Sequence, residues 1–136
     1  MNEDDKASDD DVFGEPIYSY TRAQAIEDGV LVDVTEAARE VGFRHHTVVT
    51  RGVWAECVAL TETARKAGND ERGRLNNVLW MASCTAQGKI GKREGDRMYF
   101  DVRVITDKPE VVSLWAVCGP GDTPEPVITI MLLGED

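Results

Sequence analysis

Few residues in this chain could do chemistry, and they do not converge by spacing. His45-His46 is the only histidine pair. Neighbours on an extended chain point to different sides, so a doublet rarely shares one metal, and no third ligand stands at zinc-site spacing. The doublet reads as packed or hydrogen-bonded near Phe43. Cys118 stands just before Gly119-Pro120-Gly121-Asp122. A thiol there with His45 or His46 nearby, and Asp122 orienting the ring, would suit nucleophilic catalysis. A strand end followed by a Pro/Gly loop explains the same residues without chemistry. Gly119-Pro120-Gly121 opens no helix and precedes no lysine, so it is not a nucleotide loop.

Two basic groups come next. Lys89, Lys92, Arg93 and Arg97 form one, and Arg65, Lys66, Arg72 and Arg74 the other. Acids interleave with both, as on a solvated face. Contact with nucleic acid through the loop from Lys89 to Arg97 stays open as the lesser reading. Trp54, Trp80 and Trp115 are simplest as core aromatics, and one left at the surface would be a binding hot spot. The cysteines, Cys57, Cys84 and Cys118, are odd in number and far apart, so they read as free thiols. No catalytic, metal or cofactor residue is assigned.

The elements that position these residues are clearest in the last third. Arg97–Thr106, Val111–Cys118 and Val127–Leu133 read as strands, separated by turn-rich stretches. Val127–Leu133 is apolar on both faces, so it is expected to be central or covered, with Val30–Val34 or a second subunit beside it. Thr21 and Gln24 have capping-box spacing for a short helix, and Thr35 reads as the cap of another, Glu36 to Val41. Residues 43–49 form a connector, partly extended. Thr50 opens a predicted helix over Arg51–Ala67. Asp70 opens another to about Ala86, with Gly88 after its end. Lys89–Asp96 is a polar loop.

The 136 residues suit one domain. No apolar run approaches the roughly 18 residues of a membrane span and no signal segment is visible, so a soluble, cytoplasmic protein is expected. The net charge is −10. Residues 1–15 carry seven acids against Lys6 alone, so most of the excess sits at the N-terminus. Residues 1–14 are expected to be a disordered acidic leader and 15–136 a single α+β domain. Its helices would pack on a three- to four-stranded, mainly antiparallel sheet formed largely by the C-terminal third. Attraction to phosphates is not favoured by this charge.

Several stretches together carry a resemblance: Ile17-Tyr18-Ser19-Tyr20 through Arg39-Glu40-Val41-Gly42-Phe43-Arg44, Asn77-Val78-Leu79-Trp80-Met81-Ala82, and Cys118-Gly119-Pro120-Gly121-Asp122 through Ile130. They resemble a family of small uncharacterised bacterial proteins, a domain of unknown function found on plasmids and other mobile elements. The resemblance implies no active site. With the acidic balance, it leads to the expectation of a non-enzymatic interaction protein. Such a protein would act as a monomer or homodimer and bind a protein partner. The expected partner is a host defence nuclease complex, inhibited in the anti-CRISPR or anti-restriction manner. The alternatives are a small enzyme using Cys118 with a histidine, and a small nucleic-acid-binding regulator.

Overall fold

The computed structural model describes residues 21–135. The expected leader and the entry stretch Pro16–Tyr20 lie outside the described residues.

The architecture is α+β, with a six-stranded mixed sheet. The strands are β1 (Leu31–Asp33), β2 (His46–Thr50), β3 (Lys92–Glu94), β4 (Arg97–Ile105), β5 (Pro109–Pro120) and β6 (Pro126–Leu132), in the order β1-β2-β6-β5-β4-β3. This corrects the expectation of three to four strands. The sheet is wider because the connector 43–49 supplies β2 and the polar loop supplies β3. It is mixed because β2 runs parallel to β6, with His46 opposite Val127 and Val49 opposite Ile130. All other neighbours are antiparallel.

β6 is central, flanked by β2 and β5, as its two apolar faces require. The strand from residues 30–34 does not lie beside it, however, and pairs with β2 at the edge. β2 takes the place beside β6, with Thr47, Val48 and Val49 fully buried, and β1 at the edge is half-exposed.

Among the described residues, six helical segments accompany the sheet: α1 (Arg22–Glu27), α2 (Thr35–Glu40), α3 (Arg51–Val53), a π-helical turn (Trp54–Val58), α4 (Glu62–Lys66) and α5 (Glu71–Ala86). The capping box of α1 forms: Thr21 Oγ1 accepts from Gln24 N–H, and Gln24 Oε1 accepts from Thr21 N–H, both at 3.0 Å. Asp70 caps α5 by accepting from Gly73 N–H at 2.6 Å. Thr35 does not cap α2 but forms its first residue. Its hydroxyl donates to Asp33 Oδ1 at 2.6 Å and accepts from Thr47 N–H at 3.0 Å.

The single helix expected over 51–67 is three pieces. Gly52 lets α3 sit on the end of β6, where any Cβ would come within 2.9 Å of Leu132. The π-helical turn ends at Ala59, which is extended. The Val58 carbonyl then accepts from Arg74 Nε at 3.0 Å instead of from a following turn.

One face of the sheet carries Phe100, Val102, Val104, Leu114, Ala116, Ile128, Ile130 and Val49. They pack against Ala38, Val53, Cys57, Val58, Leu75, Val78, Leu79 and Ala82 of the helices and the π-helical turn. Leu75, Val78, Leu79 and Ala82 come to this contact at helical spacing, on one side of α5. On the reverse face, Arg22 of α1 reaches Thr129 of β6, its Nη1 donating at 2.7 Å.

Candidate interaction surface

The strand register decides what Cys118 can meet. Directly opposed residues share a face of a sheet, and successive residues alternate. Cys118 is opposite Ile128, and its side chain packs against the core. His46 is opposite Val127, one residue away on β6, and so projects from the other face. The sheet therefore separates thiol and imidazole.

His46 has a different partner: its Nε2 lies 3.2 Å from Asp33 Oδ2. Partial burial works to raise the Asp33 carboxyl. Hydrogen bonds from Thr35, and then His46, outweigh it and hold the carboxyl below its ordinary value. Asp122 orients no imidazole. It accepts the N–H groups of Arg22 at 2.9 Å and Ala23 at 3.1 Å, and these bonds hold its carboxyl low. His45, His46 and Asp122 do share a cleft of about 660 Å³ with Arg22, Arg39 and Arg44. The sequence missed these arginines because they come from three separate segments. Burial lowers the Arg22 guanidinium, with Asp122 and Asp33 opposing the shift. Among the described residues, no group of three or more His, Cys, Asp or Glu is placed to hold a metal.

The basic groups are largely engaged within the fold. Lys92 pairs with Glu94 at 3.0 Å, and Arg93 donates to the Ala86 carbonyl at the C-terminal end of α5, also at 3.0 Å. The Arg97 guanidinium lies 5.4 Å above the Trp115 ring, which stacks on Tyr99. Arg65 pairs with Glu62, and Arg72 with Glu40. Arg74 is buried.

The tryptophans diverge. Trp54 packs against the core, and Trp115 is half-buried, its Nε1 donating to the Glu135 carbonyl at 3.1 Å. Trp80, on α5, is 54% exposed. Its neighbour Met81 borders two grooves. One, of about 380 Å³, also holds Ile90, Tyr99 and Leu133. The other, of about 390 Å³, holds Val111, Asp101 and Arg103. The large exposed hydrophobics among the described residues are Val30, Trp80, Ile90, Val111 and Leu133. Three of these five border grooves that share Met81, and Trp80 adjoins it in sequence. Solitary exposed apolar residues need no explanation, whereas gathered ones mark an interaction surface.

The chain belongs to the family of unknown function DUF6573, whose profile matches residues 12–136. No curated protein and no solved structure matches the chain. Membership agrees with one part of the resemblance, that to a domain of unknown function. No helix among the described residues is long and apolar enough to cross a membrane.

Proposed function

We propose that this member of DUF6573 is a non-enzymatic interaction protein that receives a protein partner on the surface around Met81, with Trp80 as an anchor. The observation that carries this reading is the gathering of Ile90, Val111 and Leu133 on grooves bordered by Met81. Tryptophan and methionine are enriched where protein partners meet, and a rigid helix presents them at little entropic cost. The finer reading is a mobile-element protein that blocks a host defence nuclease complex of the anti-CRISPR or anti-restriction type. It is supported by the sequence resemblance and by the charge of −10, which favours approach to a basic groove. The opposed faces of Cys118 and His46 weigh against the cysteine-enzyme alternative.

The test is co-purification of the full chain with candidate nuclease complexes, followed by titration of any complex captured. Trp80→Ala should weaken binding about tenfold or more, as a hot-spot residue does. Its melting temperature should match that of the wild type. Unchanged affinity in Trp80→Ala and Met81→Ala alike would remove this surface from the reading.

A further inference from the structure

A different cleft, of about 630 Å³, opens at the head of α5. Its volume is that of a small-molecule site. Arg74 lines it and is only 6% exposed. Its Nε donates to the Val58 carbonyl at 3.0 Å, and its Nη1 to Ile105 O at 2.7 Å and Asn69 Oδ1 at 3.1 Å. These acceptors are all neutral. Its Nη2 is closed off from solvent and meets no acceptor. A buried guanidinium normally meets a carboxylate, because desolvating a cation without an anion is costly. A buried donor left unpaired adds to that cost.

We propose that this cleft binds a small organic monocarboxylate: the Arg74 guanidinium turns so that Nη2 opens to the cleft and shares the head group with Arg103, and the hydrocarbon body lies along Val104, Ile105, Pro109 and Val111. Arginine presents a planar fork that matches a carboxylate. Arg103 is exposed and lines the same cleft, so the head group enters beside it. The helix N-terminus is not the anion site, since Asp70 already accepts the Gly73 N–H there. Asp70 and Glu110 also line the cleft and balance its two arginines. A single added negative charge is therefore tolerated, whereas a dianion meets repulsion from both acids. The apolar wall selects a carboxylate with a hydrocarbon tail over acetate.

This inference does not rest on the protein-binding reading, although the cleft shares Asn77, Arg103 and Val111 with one groove beside Met81. Calorimetric titration of the full chain with octanoate, octanol and octyl phosphate tests it. Octanoate should bind saturably and one-to-one, and shift the Arg74 side-chain Nε–H resonance. Octanol should bind about tenfold more weakly, the effect of losing a charge-assisted hydrogen bond, and octyl phosphate should also be weaker than octanoate. Arg103→Gln, at an exposed position, should lose about tenfold for octanoate and nothing for octanol. Trp80→Ala should leave octanoate affinity unchanged. Equal affinity for octanol and octanoate, tighter binding of octyl phosphate, an Arg103→Gln variant indistinguishable from wild type, or no binding of octanoate would each overturn the proposal.

Discussion

Thr61 and Thr106 are 45 residues apart in the chain, and the hydroxyl of the first donates to the carbonyl oxygen of the second at 2.7 Å. The same hydroxyl accepts the Ala64 N–H at 3.0 Å and so starts α4. One side chain thus ends the run after the π-helical turn and ties the new helix to the turn beyond β4. Thr61→Val keeps the shape and removes both bonds. Losing the cap costs about 1 kcal/mol and the second hydrogen bond about as much again. Urea denaturation should therefore show a loss of about 2 kcal/mol. Thr63→Val, at an exposed position on α4, should stay within about 0.5 kcal/mol of wild type. Equal effects at the two positions would remove the special role of Thr61.

That tie explains why part of the fold was legible and part was not. The three C-terminal strands carry their signals locally, in alternation and in Pro/Gly separators, and they form nearly as read. The caps of α1 and α5 are also local and also form. The break within 51–67 is not local. It depends on Thr106, on Arg74 reaching Val58 and on Leu132 beside Gly52. The second half of the stretch 43–49 became β2, filling a buried slot beside β6 with Thr47, Val48 and Val49. Of the surface around Met81, Trp80 was visible in the sequence but was read as a core aromatic, and it is exposed. The convergence of Ile90, Val111 and Leu133 on that surface was not visible, since they come from three different elements. Opposite faces for Cys118 and His46 needed the β2–β6 register.

The carboxyls of Asp33 and Asp122 set an acid limit on stability. Both sit below their ordinary values in the folded chain. A group depressed on folding contributes fully above its unfolded pKa, near 4. The contribution is lost as pH falls through the folded value. Wild-type stability should therefore fall between about pH 5 and pH 2. In Asp33→Asn/Asp122→Asn this part of the decline should be absent, and its stability curve should converge on the wild type at the acid end. Parallel curves would show that neither carboxyl contributes to acid unfolding.

Cys57 is fully buried, and its burial, helped by Glu56 and opposed by Arg74, pushes the thiol up to about 12. The thiolate is the reactive form, so near neutral pH this cysteine should resist a disulfide reagent while the chain is folded. Cys84 and Cys118 are only partly buried. Native labelling followed by peptide mapping should find modification at those two positions alone, with Cys57 joining after unfolding in urea. Rapid native labelling of Cys57 would mean that the π-helical turn opens readily. Cys118→Ser should leave partner capture unchanged, and its loss would restore the thiol-dependent alternative.

Gly88 and Gly91 both follow α5 with positive φ, at +78° and +65°, yet their surroundings differ. A Cβ at Gly88 meets nothing within 4 Å. Gly88→Ala therefore carries only the left-handed backbone cost, about 1–2 kcal/mol. A Cβ at Gly91 would collide with the backbone carbonyl of Tyr99 and press on the Thr85 side chain at 3.0 Å. Tyr99 cannot retreat freely, because it is paired with Lys92 on one side and Trp115 on the other. Gly91→Ala should therefore cost about 3 kcal/mol or more, with the excess over Gly88→Ala measuring the collision. Gly91 also lines the groove shared by Ile90 and Met81, so the same change should weaken partner binding even where the chain remains folded. Urea titrations of the two variants, with partner affinity measured well below the unfolding transition, check both effects. Matching losses of stability would show that the Gly91 backbone does not sit against Tyr99 in solution.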